Sequence, residues 1–370
     1  MKLRGRVVTP EGVLADAVVR LEDGRIAEVT PAERSRVTRS AAWIVPGFVD
    51  LHVHGGGGCT FTTGDLEQAK GTIAFHRSHG TTTMLASLVT ASRPDTLAHT
   101  TTLAQLVHSG ELAGVHLEGP YLSTARCGAQ NPAHLRDPDP DELDALIATG
   151  VVRVVTIAPE LPGALPAISQ LRAHGVVAAV GHTDATYEQA LAAVEAGATL
   201  ATHLCNAMRP AHHRDPGPIV ALLDSPDVVC EQVADGVHLH DGMLRHVTHA
   251  AGPDRVALVT DAIAAAGMPD GEYELGGQEV IVSNAVARLP ASGTIAGSTL
   301  TMAAAFRRAV QSGLSIVDAV TMASTTPARV LGLDTTLGAI APGLRADLVL
   351  LDEDLQVVSV LRQGKPVEES

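Results

Sequence analysis

Six side chains in this sequence are of the types that hold divalent metal ions, and each stands at the close of an apolar run: His52, His54, Glu118, His182, His203 and Asp261. The pair His52 and His54 is the most telling, in the stretch Phe48-Val49-Asp50-Leu51-His52-Val53-His54. On a β-strand residues i and i+2 share a face, so both imidazoles can be presented to one point. Gly55 to Gly58 follows at once, letting the backbone leave the strand where a site could open. Ordinary hydrogen bonding would account for an isolated His-x-His. It does not account for four further candidate ligands at equivalent places along the chain. Neutral imidazoles and carboxylates in this number suit one or two Zn²⁺, Fe²⁺ or similar ions. An ion so held lowers the pKa of a bound water toward ~7 and polarises a carbonyl, which is the chemistry of hydrolysis. Asp261, beside such an ion, could take the water's proton and return it to the departing group.

Those residues meet only if the chain between them is regular. Eight apolar runs, at 44–54, 81–89, 112–118, 151–158, 176–182, 199–205, 227–234 and 255–261, alternate with amphipathic stretches. Continuous Val, Ile, Leu and Ala strands separated by helices indicate a parallel sheet buried on both faces. Eight such units predict an α/β fold, a (β/α)8 TIM-like barrel over residues 46–333. The six candidate ligands then sit at the C-terminal mouth, where enzymes of this fold hold their active sites. One helix is expected over Pro138 to Ala148, with acidic residues in its first turn and Gly150 after its end. Residues 270–291 read as an extra hairpin inserted after the eighth strand. Residues 1–45 and 334–370 alternate apolar and polar positions, with a hairpin signal at Asp23-Gly24 and a turn at Pro342-Gly343. They predict a small β-sandwich domain built from both termini.

With 370 residues, 45% of them hydrophobic and 18% charged, the composition is that of a soluble globular chain. No apolar stretch is long enough for a membrane helix and the N-terminus lacks the apolar core of a signal peptide, so a cytoplasmic location is expected. Cys59, Cys127, Cys205 and Cys230 form no Cys-x-x-Cys pair, and reduced thiols are expected. A net charge of −15 argues against nucleic acid and anionic membrane surfaces as partners. It leaves room for an anionic small molecule in a local basic pocket. The Gly55 to Gly58 run lacks the Gly-Lys-Ser/Thr ending of a phosphate-binding loop, so nucleotide binding is not indicated.

His-x-His on strand one, an acid on strand three, His on strands five and six and Asp on strand eight resemble the amidohydrolase superfamily. Its metal sites activate water against amides and esters. The segments His116-Leu117-Glu118-Gly119-Pro120, Gly181-His182-Thr183-Asp184, Thr202-His203-Leu204-Cys205-Asn206-Ala207, Ala234-Asp235-Gly236-Val237-His238 and Val259-Thr260-Asp261-Ala262 are similar, in order and spacing, to its deacetylases of N-acetylated sugar phosphates. That resemblance runs nearly the whole length of the chain. It implies release of acetate from N-acetylglucosamine 6-phosphate, in amino-sugar catabolism and cell-wall recycling, by a homodimer with two divalent ions per chain. Glu118, His182 and His203 would surround one ion; His52, His54 and Asp261 would complete a second site, with Glu118 as the bridge. Many members bridge with a carboxylated lysine, but lysine occurs here only at 2, 70 and 365, and Lys70 reads as a helix residue. Asn206, the backbone of Ala207, Arg214 and His238 would hold the phosphosugar, with Arg214 reaching into a neighbouring subunit's site. Gln130 stands where some members have a histidine near the substrate carbonyl. An amide can donate a hydrogen bond there but cannot carry a proton.

His116 is expected in the core behind the ligands, and Cys127 as an ordinary thiol beside the site. His76, His79, His99, His108, His174, His246 and His249 fall in helical stretches and are expected mostly at the surface. Two rival readings stay open. One is an amidohydrolase for another N-acyl substrate: a cyclic amide, an N-acyl amino acid or N-acetylgalactosamine 6-phosphate. The other is a catalytically silent scaffold barrel, against which the ligand set speaks, since a scaffold has no chemical need of six converging ligands.

Overall fold

In the computed structural model, which describes residues 1–32 and 38–367, the eight apolar runs become eight parallel strands. They are Phe48–Asp50, Thr81–Leu88, Gly114–Glu118, Val152–Ile157, Val177–Val180, Leu200–Ala201, Val229–Val233 and Val256–Val259, hydrogen-bonded in chain order. A parallel bridge between Val53 and Ala262 closes the ring, helped by the Asp261 N–H donating to the His52 carbonyl at 2.8 Å. Every residue of Thr81–Leu88 is buried, as a strand with packed side chains inside and helices outside requires.

A helix follows each strand, from Leu66–Ser78 after the first to Met302–Gln311 after the eighth. Their starts are written in the sequence: Asp65, Ser92, Asp139, Thr186 and Thr301 each accept a first-turn backbone N–H. The helix expected from Pro138 begins at Pro140, because Asp139 takes the capping position and Pro140 occupies the first turn, where its missing N–H is not needed.

The run 44–54 serves two sheets. Val45 pairs with Val349 in the terminal sheet, whereas Phe48 pairs with Thr81 in the barrel. Gly47 lies between, and a Cβ there would come within 2.2 Å of the Thr82 hydroxyl oxygen, so only glycine lets the chain cross. The terminal sheet has seven strands among the described residues, ordered Lys365–Pro366, Val357–Arg362, Leu348–Leu351, Arg39–Pro46, Lys2–Thr9, Gly12–Glu22, Arg25–Pro31. It encloses its own core, Leu3, Val19, Ile26, Ile44, Leu348 and Leu361 among them. The layers expected of a sandwich come from one continuous sheet that curls until Arg25 bridges Arg345. Asp23 and Gly24 turn the hairpin with φ of 48° and 75°, both left-handed as a two-residue turn needs.

The segment after the eighth strand has three antiparallel strands rather than a simple hairpin: Gly271–Leu275, Gln278–Ser283 and Val286–Arg288. The third pairs with Ile281 to Ser283 and shields Val280, Val282 and Ala287 in a small separate core. This sheet leans over the barrel mouth, where the Gln278 amide donates to the Ala129 carbonyl. No helix among the described residues is long and apolar enough to cross a membrane.

Candidate metal centre

All six candidate ligands lie buried at the C-terminal mouth. They fall into two groups, His52 with His54 and Asp261, and Glu118 with His182 and His203; the donor atoms within each group lie within 4.8 Å of one another. Glu118 stands between them. Its Oε1 is 3.0 Å from the Nε2 atoms of both His182 and His203 and 3.5 Å from that of His52, while its Oε2 is 3.2 Å from His54 Nε2. Asp261 Oδ1 is 3.4 Å from His52 Nε2 and 3.3 Å from His54 Nε2. Donors bound at about 2.05 Å to one tetrahedral ion lie about 3.3 Å apart, so these spacings already have the size of a coordination shell.

The outer ring nitrogens say the same. His52 Nδ1 faces Glu231 Oε2 at 3.2 Å, His54 Nδ1 the Ser87 carbonyl at 3.1 Å, and His182 Nδ1 the Arg126 carbonyl at 2.9 Å. Each is an acceptor, so each ring keeps its proton on Nδ1 and turns Nε2 inward. The inward nitrogens of His52 and His54 are 3.0 Å apart, and those of His182 and His203 3.1 Å apart. Lone pairs that close repel unless a positive charge sits among them. The titration behaviour agrees. Burial would push the rings down, yet Glu118 and Asp261 hold His52 well above 6.5, and His54 is raised to about 9. Burial would likewise push Glu118 and Asp261 up, but the surrounding histidines hold both below the usual carboxylate range. A cluster with such a demand for positive charge fits divalent ions.

Backbone conformation adds a further mark. His182, His203 and Asp261 have φ of 47°, 28° and 50°, left-handed values that non-glycine residues adopt at a cost of order 1–3 kcal/mol each. Each strand thus turns abruptly at its ligand and aims the side chain inward.

A cavity of about 470 Å³ opens over the ligands, within the range of small-molecule sites. Gln130, Asn206, Ala207 and His238 line it, as do Leu275, Ile295 and Gly297 around the inserted sheet. The His238 ring is 2.7 Å from Asp235 Oδ2; burial would lower its pKa, but this carboxylate raises it. Gln130 is engaged at both ends, its Nε2 donating to Glu118 Oε2 at 2.6 Å and its Oε1 accepting the Thr90 N–H at 2.8 Å, so it steadies the carboxylate between the two groups. Arg214 is not at the cavity of its own chain: it is exposed, with its guanidinium against His213 at 2.7 Å. Arg126 is the one arginine or lysine lining the cavity among the described residues. Its Nε donates to Asp184 at 2.8 Å, leaving its terminal nitrogens for another partner.

His116 is behind the ligands as expected, bonded to Ser87 and Thr156 at 2.9 Å each and edge-on to the His52 ring. Lys70 is on the first helix, paired with Glu67. His76 is not at the surface: it is fully buried, its Nε2 2.9 Å from the Gly55 carbonyl oxygen. Sequence reasoning passed over two acids. Asp50, pushed up to about 7 by burial, accepts from the Thr260 hydroxyl at 2.6 Å and so ties the first strand to the eighth. Glu231 reaches His52 from strand seven. Both stand inside apolar runs, and that misfit was the available signal.

The chain matches the amidohydrolase family over residues 43–367. It is 39% identical over 97% of both chains to an N-acetylgalactosamine-6-phosphate deacetylase of Escherichia coli O157:H7. To an N-acetylglucosamine-6-phosphate deacetylase of Lysinibacillus sphaericus it is 34% identical, over 97% of this chain and 95% of that one. Among solved structures it resembles a mutant of the N-acetyl-D-glucosamine-6-phosphate deacetylase of Mycobacterium smegmatis in complex with N-acetyl-D-glucosamine-6-phosphate, at 47% identity, a TM-score of 0.96 and 99% coverage of both chains. Family, fold and a mouth built for metal-assisted hydrolysis agree, and the chain belongs to the amidohydrolase family.

Proposed function

We propose that this chain is a metal-dependent deacetylase that converts N-acetylglucosamine 6-phosphate and water to glucosamine 6-phosphate and acetate, with two ions per chain. The observation that carries the reading is the pair of ligand groups sharing Glu118 on the floor of a cavity whose rim holds Arg126 and His238. His52, His54 and Asp261 would hold one ion and Glu118, His182 and His203 the other. Such an ion supplies a lowered water pKa and a polarised acetyl carbonyl. Asp261, against both strand-one histidines and open to the cavity, accepts the proton of the attacking water and passes it to the leaving amine. Gln130 holds Glu118 and carries no proton. His238, Asn206, the backbone of Ala207 and Arg126 meet the sugar phosphate from within the chain. Arg214, turned outward on its own chain, serves the site of a partner in a homodimer. A phosphorylated sugar does not cross a bilayer unaided, and a cytoplasmic location is in keeping with a substrate retained in that way.

An amine-release assay on N-acetylglucosamine with and without its 6-phosphate tests this. Turnover of the phosphosugar, lost on chelation and restored by metal, is expected. No amine from either sugar in metal-replete protein would overturn it. The 39% identity to an N-acetylgalactosamine-6-phosphate deacetylase supports a second reading, the galacto epimer. The ratio of kcat/KM for the two phosphosugars separates them.

A further inference from the structure

Strand seven carries a carboxylate that the proposed reaction does not use. Glu231 is fully buried in the middle of Val229–Val233. Its Oε2 lies 3.2 Å from His52 Nδ1 and 3.2 Å from the backbone nitrogen of His203, so two N–H groups fill the two acceptor positions of one oxygen. One of these belongs to a ligand of the first group and the other to a ligand of the second. Its Oε1 has no partner among the described residues, and its one ion-pair partner there is His52. A carboxylate so deep and so thinly partnered is unfavourable unless positive charge lies close by. The nearest places for that charge are the two ligand groups it touches. His203, moreover, is in a left-handed conformation that persists only where its surroundings enforce it, and the bond from its N–H to Glu231 is one such restraint.

We propose that Glu231 is a positioning residue that sets the two ligand groups in register, holding the His52 ring with Nε2 inward and pinning the backbone at His203. Binding of the ion at His52, His54 and Asp261 depends on it. This rests on the two-ion reading above. A carboxylate on the outer nitrogen also makes a ligand histidine more basic at the inner one, and loss of such a partner typically weakens metal binding about 10- to 100-fold.

The test uses the metal-loaded protein, dialysed against graded chelator buffers, with metal per chain read by elemental analysis. In Glu231→Gln, which keeps the volume and removes the charge, the ion missing from a His52→Ala/His54→Ala variant should be held roughly 10- to 100-fold more weakly. Excess metal should restore it. Metal-free Glu231→Gln should unfold no more easily than metal-free wild type, since a buried charge has gone. A variant that binds both ions as tightly as wild type overturns the inference, as does one that is merely less stable with unchanged affinity. A wild type that never takes a second ion overturns the two-ion reading and this inference with it, whereas inactivity on phosphosugars in a two-ion protein touches only the substrate. If Glu231→Gln does not fold, ¹⁵N-histidine spectra of the wild-type metal-loaded protein decide. A protected, strongly hydrogen-bonded Nδ1 proton on His52 is expected, and a freely exchanging one overturns the proposal.

Discussion

Acid should destabilise this protein partly through one histidine outside the metal centre. His76 lies on the first barrel helix, fully buried, with its Nε2 2.9 Å from the carbonyl of Gly55, the residue after the ligand His54. Its Nδ1 has no partner among the described residues. Burial pushes its pKa from 6.5 down to about 4. Between those values the unfolded chain binds more protons than the folded one, so stability rises with pH. The contribution is complete above pH 6.5 and is lost as the pH falls toward 4. At about 1.36 kcal/mol per unit, the displacement is worth about 3 kcal/mol. His76→Gln keeps a donor for the Gly55 carbonyl and does not titrate. Denaturant titrations of metal-free protein, which remove proton–metal competition from the comparison, should show wild type losing about 3 kcal/mol more than the variant between pH 7 and pH 4. Equal losses would refute the reasoning: His76 would then be charged in the folded state, or its burial would carry no penalty.

Four further outcomes are expected. Asp261→Asn should lower turnover by about 10²- to 10⁴-fold, and near-normal turnover in a metal-replete variant would exclude Asp261 as the proton carrier. Replacing His52 and His54 together with Ala should remove one metal equivalent and spare the other, as counted by elemental analysis. Arg126→Ala should lower kcat/KM for the phosphosugar by about 10- to 150-fold and leave the unphosphorylated sugar nearly unaffected, equal falls showing that it does not read the phosphate. Arg214→Ala should do the same, and mixing it with Asp261→Asn should regain activity through hybrid dimers if Arg214 acts on the partner's site.

What the sequence revealed followed from constraints that act residue by residue. A barrel strand buried on both faces must be largely apolar, so all eight runs were visible, and a polar residue closing such a run is placed at the mouth. The burial of His76, expected at the surface, ran against that reading, although the residue continues the stripe Ala69, Thr72 and Ile73 at helical spacing on the buried face. Loops carry no such periodicity. The position of Arg214 shortly after His203 put it near the mouth, but the turn that bridges His212 to Asp215, and the pairing of Arg209 with Asp184, leave its side chain outside. Gln130 likewise found its partners, Glu118 and Thr90, only through the folding of its loop.

The least legible feature is the turn of the backbone at the ligands themselves. Nothing in the residue types of His182, His203 or Asp261 demands a left-handed conformation, and local preference opposes it. Restraints from elsewhere in the fold enforce it. The Asp261 N–H donates to the His52 carbonyl at 2.8 Å, and its own carbonyl accepts from Ser298 at 2.7 Å. The His182 carbonyl accepts from Ser123 at 2.9 Å, and the His203 N–H is held by Glu231. Each strained residue is therefore fixed by bonds from a different strand or loop, at a combined cost of order 3–9 kcal/mol that the rest of the barrel must offset. The return is a set of inward nitrogens and oxygens already at coordination spacing, so an ion entering the mouth meets ligands that need little rearrangement.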